Sequence, residues 1–95
     1  MASAPSTLSF AVRGPIARAD LPGLSDRVCR LLAGSAATVA YCDVHGVPAD
    51  AVTADALARL QLAARRRGCQ VRLRNASPEL VRLLAFMGLG DVLPD

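Results

Sequence analysis

Three times along this chain a short run of β-forming residues gives way, across a turn signal, to apolar residues at helical spacing. The first run is Leu8-Ser9-Phe10-Ala11-Val12-Arg13, which alternates apolar and polar before Gly14-Pro15. The second, Thr38-Val-Ala-Tyr-Cys-Asp-Val44, is apolar enough to predict a central strand buried on both faces. The third, Cys69-Gln-Val-Arg-Leu-Arg74, alternates cleanly. Strands that alternate with helices force a largely parallel sheet, because each chain return must cross over through a helix, almost always right-handedly.

The helical segments have equally local causes. Asp20 is placed to cap the first helix, Pro22 fits its first turn, and Gly34 ends it. Its expected buried stripe is Leu21, Leu24, Val28, Leu31 and Leu32, with Cys29 beside it. The second helix is predicted to start between Asp50 and Thr53 and to run to Arg67, with Leu57, Leu60 and Ala64 inward and Gly68 closing it. Ser77-Pro78-Glu79 combines a cap, a first-turn proline and an acid at the positive end of the helix dipole. Leu80, Leu83, Leu84 and Met87 follow as the third stripe, closed by Gly88. Ile16-Ala17-Arg18 is expected as a short hairpin strand and Asp91-Val-Leu93 as a last one. The fold class is therefore α/β: a mixed four- to five-stranded sheet with three helices packed mainly on one side. Residues 1–95 form one domain, with residues 1–6 a loose tail.

Composition removes several function classes. With 53% hydrophobic and 20% charged residues the chain is too apolar for disorder. No apolar stretch approaches the roughly 18–20 residues of a membrane span. Met1-Ala-Ser-Ala-Pro-Ser-Thr has neither a basic head nor an apolar run, so no secretory signal is expected and the location expected is cytoplasmic. Cys29, Cys42 and Cys69 are an odd number, widely spaced, and read as buried thiols rather than a disulfide framework. All 11 basic residues are Arg, which fits a GC-rich coding bias more than a nucleic-acid partner. Aromatic residues make up only 3%, leaving no platform for stacking bases. The chain has no phosphate-loop pattern, no nucleophile–base pair and no set of metal ligands at a known spacing, so no enzyme, metal or cofactor is expected.

Four segments in order resemble the STAS domain of the anti-sigma factor antagonist family. Gly14-Pro-Ile-Ala-Arg-Ala-Asp20 is similar to the family's G-x-hydrophobic-D hairpin leading into the first helix. Tyr41-Cys-Asp-Val-His-Gly-Val47 is similar to its central strand and exit loop, written v-v-D-l-s-g-v. The segment from Gln70 to Leu84 resembles its l-x-l-x-n-x-s-p-x-v-x-x-l-l block, and Phe86-Met-Gly-Leu-Gly-Asp-Val92 its closing l-x-G-l-x-x-l-f. The resemblance implies a bacterial, cytoplasmic module of transcription regulation that works by partner switching. Its protein partner would be an anti-sigma factor, a serine kinase-like regulator or another complex subunit, with no nucleic acid bound.

In that family the loop and helix start read D-S-S-G-L, and the second Ser takes a phosphate from the partner kinase. Here the aligned residues are Ala51-Val52-Thr53-Ala54-Asp55. Thr53 keeps a hydroxyl at the acceptor position and is the candidate phosphoacceptor. Asp43, His45, Asp50, Val52, Thr53 and Asp55 are the candidate partner-binding residues. Three readings stay open: a switched antagonist, a non-switching adaptor subunit, and a domain that binds a nucleotide or lipid headgroup at the helix start. Read from the residues alone, Thr53 has the ordinary task of capping a helix, Asp50 and Asp55 favour a helix N-terminus, and His45 is a turn residue. Arg65-Arg66-Arg67, with Arg72 and Arg74, reads either as a basic patch or as a solvated helix end.

Overall fold

The computed structural model describes residues 7–89. Three strands and three helices alternate: β1 (Thr7–Ala11), α1 (Leu21–Ala33), β2 (Val39–Asp43), α2 (Ala51–Arg65), β3 (Gln70–Arg74) and α3 (Pro78–Phe86). A single 3-10 turn, Arg18–Asp20, leads into α1. The strands form one parallel sheet in the order β1-β2-β3, with Ser9, Tyr41 and Arg72 in one cross-strand row and Ala11, Asp43 and Arg74 in the next.

That order determines where the helices go. Two successive crossovers of the same hand, moving in the same direction across the sheet, place α1 and α2 on one face. α2 packs against α1 on one side and α3 on the other, and buries Leu57, Leu60 and Ala64 over the sheet. α1 contributes Leu21, Leu24, Val28 and Leu32, and α3 contributes Leu80 and Leu84. From the sheet, Ala40, Cys42, Val71 and Leu73 meet them, with Leu8 and Phe10 packed at the margin.

Among the described residues no helix covers the other face of the sheet, and β2 is not fully buried on both sides as its composition predicts. Tyr41 and Asp43 are only half-buried, and Arg72 and Arg74 are exposed. A parallel sheet normally has both faces covered because its crossovers are shared between them. Here the two crossovers between described strands fall on the same side. The open face is chemically suited to water, with Thr7, Ser9, Gln70 and the two arginines alternating with the inward residues.

Several expectations need correction. The hairpin strand at Ile16-Ala17-Arg18 does not form; Ile16 buries its side chain in the core and the chain then tightens into the 3-10 turn. Among the described residues the sheet is parallel and three-stranded, so the mixed sheet of four to five strands is not confirmed. The strand expected at Asp91-Val-Leu93 lies outside the described residues. Leu31 is 40% exposed and Met87 45%, so each lies off its predicted stripe, whereas the rest of the α1 stripe is buried. Asp20 does not cap α1 through its side chain; its Oδ2 accepts the Ala17 N–H at 3.0 Å and closes the 3-10 turn instead. α2 ends at Arg65 rather than Arg67, because the backbone turns toward Gly68, whose φ of 71° suits glycine. The expected Ser77 cap does form, with Oγ accepting the Leu80 N–H at 3.1 Å.

Candidate functional site

The loop between β2 and α2 is built by two aspartates with different tasks. Asp43, the last residue of β2, accepts the His45 N–H at 3.0 Å and the Asn75 side-chain N–H at 3.2 Å, both on Oδ1. One carboxylate thereby turns its own strand exit and ties it to the exit of β3. The His45 N–H lowers the Asp43 pKa most, followed by the Asn75 amide. Asn75 has a φ of 60°, a left-handed conformation that Asn tolerates better than most residues. Gly46 follows at φ 76°, and Val47 N–H returns to Val44 O at 3.1 Å to complete the turn.

Asp50 stands at the far side of the loop as the N-cap of α2. Its extended backbone aims Oδ1 at the Thr53 N–H, which donates at 2.8 Å, and Ala54 N–H donates to the Asp50 carbonyl at 3.1 Å. The Thr53 N–H is the main reason the Asp50 pKa lies below the ordinary carboxylate value, and the nearby Thr53 hydroxyl lowers it further. The hydroxyl favours the charged carboxylate from close by, short of full hydrogen-bond geometry. Thr53 Oγ1 is buried and has no partner of hydrogen-bond geometry, and the whole residue is 0% exposed.

Asp55, one turn into α2, is committed elsewhere. Its Oδ1 accepts from Arg59 Nε at 3.1 Å and its Oδ2 from Arg18 at 3.5 Å, joining the 3-10 turn to the helix. The loop is also backed by the chain before α1. A Cβ at Gly14 would stand 2.6 Å from Pro48 Cδ, so only glycine lets these two segments approach so closely.

The six candidate residues therefore lie along one connected loop and helix start but divide by role. Asp43, Asp50 and Asp55 have their carboxylates engaged within the chain, and Thr53 is enclosed. His45 is exposed and Val52 is half-exposed, with Pro48, Ala49 and Ala51 exposed around them. The resulting surface is small, mostly apolar and rigidly backed. Among the described residues, no group of three or more His, Cys, Asp and Glu is arranged to hold a metal ion. No helix among them is long and apolar enough to cross a membrane.

The arginines do not gather into one patch. Arg72 and Arg74 project from the open sheet face, opposite Val71 and Leu73, whereas Arg65, Arg66 and Arg67 end α2 on the helical side. Sequence reasoning missed Arg18, Asn75 and Gln61. Gln61 is 3% exposed, and its Oε1 accepts the Val71 N–H at 2.9 Å, the β3 amide that points away from β2. A polar residue inside the α2 apolar stripe was a visible signal for it; Arg18 and Asn75 gave none before the loops were folded together.

A family model described as STAS domain matches residues 1–94. No curated protein matches the chain.

Proposed function

The chain belongs to the STAS domain family, and on that footing we propose that it is a non-enzymatic docking module that binds a protein partner without a phosphate switch. The partner meets the surface of His45, Pro48, Ala49, Ala51 and Val52, and the domain serves as an adaptor subunit of a larger complex. The observation that carries this reading is the enclosure of Thr53, which leaves its hydroxyl out of reach of a kinase while α2 is formed. Phosphorylation would require the first turn of α2 to open and the Asp50 cap to break. A phosphate there would also place about two negative charges beside the Asp50 carboxylate.

The engagement of Asp43, Asp50 and Asp55 supports the same reading. Their carboxylates hold the loop in shape, so the partner meets a preformed surface and loses little affinity to ordering it. The test is co-purification from the native cytoplasm using wild-type, Val52→Asp and Thr53→Val baits. The same stoichiometric partner should accompany wild type and Thr53→Val and be lost with Val52→Asp. Retention by Val52→Asp would place the docking surface elsewhere.

The antagonist reading of the family keeps one observation in its favour. Thr53 occupies the acceptor position, and its hydroxyl has no hydrogen bond to lose. A partner able to unwind the first turn of α2 would find that hydroxyl ready.

A further inference from the structure

Toward the other end of α2 lies a groove that the loop surface does not use. Two adjoining hollows of about 310 and 250 Å³ run between α1 and α2 and share Cys29, Ala63 and Arg66. Leu62, 54% exposed, adds an unpartnered apolar side chain, while Arg59, Arg66 and Arg67 supply the positive charge. Asp55 pairs with Arg59, but neither Arg66 nor Arg67 forms an ion pair among the described residues. Asp26, the acid of α1, does not line the groove.

We infer that this groove docks an acidic amphipathic helix of a partner protein. Two helices packed side by side offer a furrow into which the apolar face of a third can settle. Unpaired guanidiniums at the rim then select carboxylates on that helix, both by attraction and by the penalty of leaving like charges opposed. An anionic bilayer would meet the arginines, but among the described residues Leu62 is the one large exposed apolar side chain lining the groove and gives it little to insert. A nucleic acid would find no aromatic side chain in the groove on which to stack. This second surface is independent of the loop reading, since it requires nothing of Thr53 or Val52.

The probe is a labelled synthetic peptide of about 15 residues, enough for a short helix, with Leu and Glu at helical spacing. Its binding to the whole chain is read by fluorescence anisotropy, with a scrambled peptide of the same composition as control. The ordered peptide should bind more tightly than the scrambled one and weaken as salt rises. The paired reversal Arg66→Glu and Arg67→Glu should reduce affinity by about tenfold or more. Leu62→Ser, which keeps every charge, should also weaken it. The far-UV spectrum of each variant reports whether the fold is kept. The bound peptide should slow alkylation of Cys29, which lines both hollows and is partly exposed. Equal binding of the scrambled peptide, no loss on charge reversal, or unchanged Cys29 alkylation would overturn the inference. So would tighter binding of phosphatidylglycerol vesicles or single-stranded DNA at the same ionic strength.

Discussion

The backbone N–H of Thr53 donates to Oδ1 of Asp50 across 2.8 Å, and the side chain of the same threonine is completely buried. One contact thus fixes the start of α2 at a residue whose hydroxyl is enclosed. The amide of Thr53 has a structural task, while its hydroxyl has none that a hydrogen bond records.

Thr53→Val separates those two properties. It keeps the shape and the capped amide and removes only an unpaired buried hydroxyl. Relief of the buried hydroxyl opposes the loss of its support for the Asp50 carboxylate, so we expect stability to stay within about 1 kcal/mol of wild type in urea unfolding. Thr53→Glu, often used to mimic a phosphate, should instead cost about 3 kcal/mol or more by burying a charge without a partner. Loss of binding in that variant would therefore report unfolding of the site, which makes the valine variant the informative one.

Asp50 and Asp43 set the response to acid. Both carboxyls have pKa values lowered in the fold, Asp50 by the Thr53 N–H and Asp43 by the His45 N–H. Their share of stability is complete above the unfolded carboxylate value and disappears as pH falls through the depressed folded values. Thermal midpoints should therefore vary little through neutral pH and fall below about pH 4. Asp50→Asn keeps a capping oxygen but cannot titrate, so it should flatten part of that fall.

Gln61 anchors α2 to the outer edge of β3. Gln61→Met keeps similar length and fills the same space, but leaves the Val71 N–H without its partner. The expected loss is about 1–3 kcal/mol by denaturant titration. An unchanged midpoint would show that this edge amide finds another acceptor.

The three thiols should react in a fixed order. Cys29 is partly exposed, while Cys42 and Cys69 are buried. Burial, helped by the neighbouring Asp43 charge, pushes Cys42 up to about 12, and burial also raises Cys69. With Ellman's reagent near about pH 8, one thiol should react quickly in the native protein and all three after denaturation. Early reaction of Cys42 would contradict the packing of the sheet against α2.

Much of the fold is legible in local sequence because its causes are local. Ser77 and Pro78 announce α3, and the Leu57, Leu60 and Ala64 spacing fixes the inward face of α2. The open sheet face was hidden in the composition of β2. An apolar run predicts burial on both sides, and only the strand order shows that α1 and α2 share one side. The hairpin expectation at Ile16 failed because a buried side chain there does not require a strand pairing. At the candidate site, the importance of Asp43, Asp50 and Thr53 could be read, but not what each does. Asp43 and Asp55 draw on Asn75 and Arg18, which lie 32 and 37 residues from them, whereas Asp50 is held by the local Thr53 N–H. Sequence alone predicts Thr53 as a cap of α2, but Asp50 is the cap, and the direction of the helix against the core encloses the Thr53 side chain.

The proposal of docking without a switch is tested most directly by the phosphorylation state of Thr53 in the protein isolated within its native complex. Mass spectrometry of the peptide containing Thr53 should find that residue unmodified while the partner is present in stoichiometric amount. A phosphate on Thr53 in a substantial fraction of the protein would contradict the account, since it would require α2 to open at its cap as part of normal function.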